Sequence, residues 1–489
     1  MPTADCIPIT AAPGLSRLFL DYCSASDSAW PFYQVSPATD WQQRPQEPAH
    51  WPELVSILAA QNRSASASPA LQSLRQGAGV VVTGQQVGLF GGPLFTPHKA
   101  ATAIARARQA TAAGRPHTAV FWLASEDHDF AEVNHVTFPA RRELRKLVYP
   151  AAQEAARPVG SIVLDESIVP LIDQAWELLG SSDAMDALAG AYRPGRTFAQ
   201  AFADFYTKMF AAQALLILDA ESREIHRLGA PVLRAAMERA DEFHARLSER
   251  NKELAAAGYH VQVAVTANQA EASSLLFLVD ERSGARIALK RLPQTAAEPN
   301  GLWKAGRQRY SNGELLAILE AEPERISPAA LLRPVFQDYL LSTSLTIGGP
   351  AEIAYFAQSA VLFQEILGRM TPVHPRLSAT LVEPAIAELL HKHDLTLERV
   401  FAETEESLSQ LLAARAIPIE GKRKLAAAGN ALDADLQGLL AWMHGLDAGL
   451  GRSADTAASK MRYQMNRLRR LAANFQLQKE ASLARHAEA

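Results

Sequence analysis

Glu126, Asp127, His128 and Asp129 form an unbroken ionisable run, separated by Ser125 from the apolar stretch Val120-Phe-Trp-Leu-Ala124. Asn134 and His135 follow closely. Such a run cannot continue into a core, because burying unpaired charge costs too much, so it is expected to face a cleft. Two chemical uses are open. Carboxylates and imidazoles can bind a divalent metal, provided that about three ligands converge on one point. Alternatively they can hold a substrate ammonium and hydroxyl groups, with one histidine as general base.

A second group lies about twenty residues upstream, in Thr83-Gly-Gln-Gln-Val-Gly-Leu-Phe-Gly-Gly-Pro-Leu-Phe-Thr-Pro-His-Lys99. Gly84, Gly88, Gly91 and Gly92 let backbone approach a ligand closely. Gln85 and Gln86 stand among them. A helix is expected to open at Thr96-Pro97, with Thr96 as N-cap and proline at the first helical position. That makes His98 its second residue and Lys99 its third, where free N–H groups and the positive dipole end suit a triphosphate or carboxylate. Neither GxxxxGK[ST] nor a clean GxGxxG is present. The plainer alternative is a structural glycine turn with surface cations.

Three later segments have the same polar character. They are Gln337 and Asp338 in Arg333-Pro-Val-Phe-Gln-Asp338, Glu352 and Tyr355 after Gly348-Gly-Pro350, and Arg376 and Ser378 in Pro375-Arg-Leu-Ser-Ala-Thr380. Pro350 can open a helix that carries Glu352 and Tyr355 near its start. Arg376 and Ser378 can touch phosphate oxygens.

The elements that must position these groups are legible as apolar runs. Gly79 to Thr83 and Thr118 to Ala124 are expected strands flanking a helix, a β-α-β pattern whose strands deliver functional groups at their C-terminal ends. In open parallel sheets that edge binds ligands. Ala214 to Ala220, ending near Asp219, and Thr343 to Ile347 are further strands of buried parallel type. Arg141 to Tyr149 and Gly160 to Leu164 read as strands of an excursion. Phe198 to Ala212 and a long stretch from Arg223 to Ala257 read as helices. Residues 260–291 read as antiparallel strands, with a hairpin turn at Asp280 to Gly284. From Val382 onward the chain is almost all helix-forming. Met461, Leu468 and Phe475 are seven apart, with Met465 and Ala472 on an adjacent stripe, which suggests a coiled coil or helical hairpin. An ordinary helix packed on the body is the alternative.

At 489 residues two or three domains are expected. A hydrophobic share of 48% with 20% charged residues is that of a soluble protein rather than a disordered one. The net charge of -4 gives no electrostatic reason to expect nucleic-acid or membrane binding. The two cysteines, Cys6 and Cys23, fit a reducing cytoplasm. No apolar run reaches membrane-spanning length, and the first residues have no signal-peptide pattern.

The segments together resemble the bacillithiol-biosynthesis cysteine-adding enzymes, the BshC cysteine ligase family. The resemblance rests on Thr83 to Thr96, on Val120 to Phe130 with Glu132-Val-Asn-His135, on Arg333 to Asp338, and on Gly349-Pro-Ala-Glu-Ile-Ala-Tyr355. It implies an α/β fold: a Rossmann-like parallel-sheet core of class I nucleotidyl-transfer type, a connective insertion, and a C-terminal α-helical coiled-coil module used for homodimerisation. The expected division is 1–135 for the first part of the core and 136–330 for its continuation with the α+β insertion. Residues 331–385 would complete the core and 386–489 would form the helical module.

The resemblance implies a ligase joining the carboxyl of cysteine to the free amine of glucosaminyl malate in the cytoplasm. Amide formation from a free carboxylate needs activation, so ATP or another activating nucleotide is implied chemically. In the class I superfamily a HxGH-type motif opens the first helix and a KMSKS-type loop comes late. Here Leu94-Phe-Thr-Pro-His98 has a single histidine, and Arg376-Leu-Ser-Ala-Thr380 has arginine and alanine in place of the two lysines. The energy source therefore stays open between ATP and another donor. The family also continues past the helical arm into a Pro-rich turn and a Gln-Glu-Arg element that this sequence does not show.

On this reading Gly91, Gly92, Thr96, His98 and Lys99 contact phosphate or carboxylate. Asp127, His128 and Asp129 bind the amine and move its proton. Glu352 and Tyr355 hold amino or hydroxyl groups, and Arg376 and Ser378 form the late loop. Gln85, Gln86, Glu126, Asn134, His135, Gln337 and Asp338 complete the candidate substrate- and nucleotide-binding set, and no metal ligand is assigned. Two rival readings stand beside it: a metal-dependent hydrolase or deacetylase built on Glu126 to Asp129, and a non-catalytic assembly protein working through its coiled coil.

Overall fold

The structure is a computed structural model that describes residues 6–34, 40–140, 144–150, 156–266, 271–293 and 301–479. It forms two compact units, Ser16–Ser378 and a second made of Met1–Leu15 with Ala379–Ala489.

The larger unit begins with three helices, α1 (Arg17–Cys23), α2 (Trp51–Gln61) and α3 (Ser68–Arg75). The β-α-β unit follows as β1 (Gly79–Gln86), α4 (Phe95–Ala112) and β2 (His117–Ala124). After it come the single-turn α5 (Phe130–Val133), a hairpin of β3 (His135–Pro139) and β4 (Leu144–Val148), and three helices, α6 (Val169–Leu179), α7 (Asp183–Ala191) and α8 (Phe198–Met209). Next are β5 (Leu216–Asp219), α9 (Arg223–Glu238) and α10 (Ala240–Ala256). The insertion holds β6 (Ala272–Val279), β7 (Arg286–Arg291), β8 (Leu302–Ala305), β9 (Gln308–Ser311), α11 (Asn312–Ala321) and β10 (Ile326–Pro328). The unit closes with α12 (Arg333–Leu341), β11 (Leu345–Gly348), α13 (Pro350–Leu367) and β12 (Val373–Pro375).

The central sheet is wholly parallel, in the order β12-β11-β1-β2-β5. Every residue of β2 is buried, as a parallel strand covered on both faces requires. Val81, Phe121, Ile217 and Ile347 of the sheet share one core with Ala100, Ala103 and Ala107 of α4 and Phe198, Phe202 and Tyr206 of α8. The chain runs outward from β1 through β2 to β5, then returns to lay β11 on the other side of β1. That reversal opens a crevice at the carboxyl ends of β1 and β11, the place where such sheets take ligands. The insertion is a separate antiparallel sheet, β10-β6-β7-β8-β9.

Several expected boundaries move. β1 runs three residues beyond Thr83, so Gln85 and Gln86 are its last residues rather than part of a loop. The expected long helix breaks at Arg239, which leaves helical geometry while its guanidinium holds Glu242 and Glu365. Gly160 to Leu164 forms a single helical turn at Val159–Ser161 and an isolated bridge from Val163 to Thr197. The reason is local: Val159 N–H donates to Asp127 O and Gly160 N–H to Ser125 O, which lays this segment across the end of β2. Residues 141–143 of one expected strand and 267–270 of the antiparallel block lie outside the described residues.

The second unit is helical: α14 (Pro384–Lys392), α15 (Leu397–Ala402), α16 (Glu405–Ala416), α17 (Ile419–Leu446) and α18 (Ala448–Lys479). Small residues of α18, Gly451, Ala454, Ala458 and Ala473, are the buried ones. Met461, Leu468 and Phe475 are 52%, 54% and 61% exposed. Among the described residues no helix is long and apolar enough to cross a membrane.

Candidate active site

Lys99 lies against the carboxyl end of β1. It is 3% exposed, and its ammonium donates to Gly84 O at 2.9 Å and Gln85 Oε1 at 2.9 Å, and meets Glu352 Oε2 at 2.5 Å. The capping geometry of α13 fixes Glu352. Gly349 is the N-cap, Pro350 opens the helix, and the Glu352 carboxylate reaches back to Gly349 N–H at 2.6 Å. A Cβ on Gly349 would lie 3.3 Å from Glu352 Oε2, 3.6 Å from Arg376 Nε and 3.8 Å from Lys99 Cε. Gly349 is therefore packed closely against two cations and a carboxylate, and even a Cβ there would crowd Glu352. Arg376 follows β12, and its backbone N–H donates to Gly348 O at 2.9 Å. Its guanidinium and the Lys99 ammonium both lie by the Phe95 ring, at 5.2 and 5.9 Å from the centroid. Arg376 also reaches Ser378 Oγ at 3.3 Å. Burial and the nearby Arg376 charge hold His98 below its ordinary value, so it is neutral at pH 7. Burial, then the Glu352 carboxylate, raises the Tyr355 phenol.

A second cluster stands at the ends of β1 and β2. Gln86 Nε2 donates to Asp127 Oδ2 at 2.8 Å and to Glu132 Oε2 at 3.3 Å. Asp127 Oδ1 accepts His128 N–H at 2.8 Å, and Arg333 stands 3.7 Å from Oδ2. Burial pushes the Asp127 carboxyl up, but Arg333, Gln86 and Arg286 together hold it below the usual range, so it is a carboxylate at neutral pH. The consecutive glutamines thus serve one cluster each, and Tyr355 feels both Glu352 and Arg333.

Other expected residues are placed elsewhere. Thr96 is not an N-cap: Thr96 N–H bonds to Pro93 O, the helix already starts at Phe95, and the Thr96 side chain is fully buried. His98 and Lys99 are therefore the fourth and fifth helical residues. The glycine loop does not offer its amides. Gly91 N–H donates to the Tyr192 hydroxyl at 2.8 Å and Gly92 N–H to Leu89 O at 3.0 Å. Glu126 turns into the core, 5% exposed, against His226 Nε2 at 2.5 Å. Asp129 caps α5 through Glu132 N–H at 3.3 Å. Asn134 bonds to Tyr149 O at 3.3 Å, and His135 lines a mostly apolar cavity of about 590 Å³ with Phe138 and Phe205. Gln337 and Asp338 are buried, and the Asp338 carboxylate holds Thr343 N–H at 2.8 Å and Arg369 at 3.0 Å. Thus Glu126 to Asp129 are divided among separate partners, and among the described residues no three His, Cys, Asp or Glu side chains converge as metal ligands.

Phe95, Arg286, Arg333 and His226 were not singled out as site residues from the sequence. Phe95 and Arg333 lie within the segments Thr83–Lys99 and Arg333–Asp338, whereas the strand pattern around Arg286 carries no signal that its side chain turns inward.

His98→Ala should weaken nucleotide or substrate binding while changing stability by less than about 1 kcal/mol, the scale for a side chain outside the core. Calorimetric titration beside a melting curve checks this. A large loss of melting temperature with unchanged affinity would make His98 a packing residue.

Comparison with known proteins shows the family. Residues 2–377 match the model of the bacillithiol biosynthesis BshC N-terminal Rossmann-like domain. A protein of Koribacter versatilis named "Putative cysteine ligase BshC" is 40% identical over 497 residues, covering 99% of this chain and 90% of that relative. Relatives of the same name in Solibacter usitatus and Salinibacter ruber are 34% and 30% identical, covering 99% and 94% of this chain and 90% and 85% of their own lengths. By the match across its core and the relatives that span nearly all of it, this chain belongs to the BshC family of bacillithiol biosynthesis.

Proposed function

We propose that this chain is a ligase that joins the carboxyl of cysteine to the amine of glucosaminyl malate, forming the amide that completes bacillithiol. The family and the names of its relatives support the reaction class. The observation that carries it to a site is the convergence of Lys99, Glu352 and Arg376 around Gly349. Two cations against one carboxylate leave the crevice net positive, which suits a phosphate or carboxylate.

An activating nucleotide such as ATP fits these residues: Arg376 and Ser378 would hold its phosphates, Lys99, whose three protons already serve Gly84, Gln85 and Glu352, would add its charge, and Phe95 would present a flat apolar face. When bound, such a nucleotide would supply a phosphoryl or nucleotidyl group to a carboxyl oxygen, releasing the rest of its phosphate chain and making that oxygen a leaving group for the amine to displace. The chain's own part is to hold the two substrates together, which by itself can supply several kcal/mol of the barrier reduction. Asp127, ionised and fixed by Gln86 and Arg333, is placed to bind the amine of the second substrate. Cysteine labelled with ¹⁸O in its carboxyl tests the activation. One label should appear in the phosphate or nucleotide product, whereas amide formed without nucleotide consumption would remove the activating role.

We also propose a homodimer through α17 and α18. Their exposed apolar residues include Leu439, Trp442, Met461, Leu468 and Phe475. A helix with that stripe in water is not stabilised by propensity alone. Leu468→Glu with Phe475→Glu should convert dimer to monomer in light scattering, because like charges replace paired apolar burial. A wild-type monomer at micromolar concentration, or a double variant that stays dimeric, would remove this seam.

A further inference from the structure

The ring of His128 is held from the insertion sheet, not from its own loop. Arg286, the first residue of β7, is 4% exposed. Its guanidinium is anchored on three sides. Nε donates to Ser327 Oγ at 2.9 Å, one terminal nitrogen donates to Pro328 O at 3.1 Å, and the group stacks 3.8 Å from the centroid of Phe277. Ser327 and Pro328 belong to β10 and Phe277 to β6, so three neighbouring strands fix the one cation. The remaining terminal nitrogen lies 3.2 Å from His128 Nδ1. A guanidinium can only donate, so Nδ1 must present a lone pair.

We infer that Arg286 is a positioning residue for the cleft: it occupies Nδ1 and holds His128 as the neutral Nε2–H tautomer, a hydrogen-bond donor to an acceptor oxygen of substrate rather than a general base. The direction toward substrate rests on the ligase reading; the tautomer does not.

The competing influence is the carboxylate of Asp127, whose Oδ1 lies 3.7 Å from the same Nδ1. A proton on Nδ1 would answer that carboxylate. Arg286 prevails for two reasons. It is nearer by half an ångström, within hydrogen-bond range where 3.7 Å is not. Asp127 Oδ1 is also already occupied by the backbone N–H groups of His128 and Asp129, at 2.8 and 3.4 Å. The other charge acting on the ring is the Asp129 carboxylate of its own loop. Burial first, then Arg286, outweighs both carboxylates and lowers the tendency of the ring to take a second proton. Burial lowers Arg286 itself only to about 10, so it stays a cation at neutral pH. Among the described residues no hydrogen bond reaches Nε2, and the side chain is 32% exposed, so the N–H is available.

The consequence is a division of labour. The parallel sheet delivers His128 at a strand end, and the inserted sheet decides which nitrogen carries its proton. A donor at this position would stabilise negative charge that develops on the carbonyl oxygen when the amine attacks.

Histidine-¹⁵N-labelled full-length protein tests this directly. The His128 resonances, identified by their loss in His128→Gln, should show an unprotonated Nδ1 and a protonated Nε2 at pH 7. The ring should stay neutral to a pH below that of free histidine. In Arg286→Lys the ring should shift toward the mixed tautomers of a free imidazole, because a point charge cannot serve Ser327, Pro328 and Nδ1 together. An Nδ1–H tautomer or an imidazolium in the wild-type protein at pH 7 overturns the inference, as does an unchanged tautomer in folded Arg286→Lys. The wild-type spectrum decides even where that variant fails to fold. The expected tautomer in a protein that makes no amide would defeat the ligase reading and leave this inference standing.

Discussion

Asp127→Asn should lower the rate of amide formation by at least about a hundredfold, the scale of losing one charged group that acts on a reacting centre. The amide keeps the shape of the carboxylate, and one of its atoms can still accept the His128 N–H. What disappears is the negative charge. Arg333 at 3.7 Å and the buried Arg286 then repel each other without the Asp127 charge, Arg286 keeping only Glu126 and Glu221, and an incoming ammonium loses its partner. Because this network is buried, a stability cost of about 1–2 kcal/mol is expected alongside. That exceeds what a run of charges in an exposed loop suggests, because the sequence gives no sign of Arg333 and Arg286 closing on Asp127. Steady-state rates and chemical unfolding of the same preparation separate the two effects. Full activity in Asp127→Asn would take the carboxylate out of the reaction.

Glu221→Gln should make the protein more stable at pH 9 by about 3 kcal/mol or more, and leave it nearly unchanged near pH 5. Burial, followed by the neighbouring Asp219 and Glu126 carboxylates, pushes Glu221 up to about 8 from an ordinary 4.5. The side chain is enclosed by Gly160, where a Cβ would come within 2.8 Å of Glu221 Oε2. The folded protein thus holds a proton between pH 4.5 and 8 that the unfolded chain has released. Stability must fall as pH rises through that window. At about 1.4 kcal/mol per pH unit the full effect is roughly 4–5 kcal/mol, shared in practice with the coupled Asp219. Glutamine stays neutral and removes this slope. His226 acts in the same direction. Burial disfavours its charge, but Glu126 raises it, and the benefit of that pair is lost as pH rises through the folded value. Some alkaline slope therefore survives in the variant. Identical pH dependence of wild type and Glu221→Gln would show that Glu221 is an ordinary ionised carboxylate in the folded protein.

The parallel sheet was readable because its strands are buried on both faces, and a run such as Val80-Val-Val or Val120-Phe-Trp-Leu has no other stable home. Their abrupt polar ends marked the ligand edge for the same reason. The finer placement was not readable. Glu126 and Asp127 are adjacent acids, and only a histidine a hundred residues later decides that Glu126 points inward while Asp127 does not. The glycine loop looked like an anion cradle, but the Tyr192 hydroxyl takes the Gly91 amide from α7's C-terminal end. Arg286 opens the strand Arg-Ile-Ala-Leu-Lys-Arg291, which has no polar–apolar alternation to tell its faces apart, and its inward turn is set by Ser327 and Pro328 on a neighbouring strand. In α18 the seven-residue spacing drew attention to the large apolar residues. The residues that pack there are Gly451 and alanines, which let helices approach closely, and the large ones are left on the surface.

The most direct measurement is incubation of the full chain with cysteine, glucosaminyl malate and ATP, followed by mass detection of the products. A new species at the summed mass of the two substrates less one water, formed with AMP or ADP and lost in Asp127→Asn, is the expected result. Absence of that amide from folded wild-type protein, with ATP or any other nucleotide triphosphate supplied, would contradict the assignment of this crevice to amide formation.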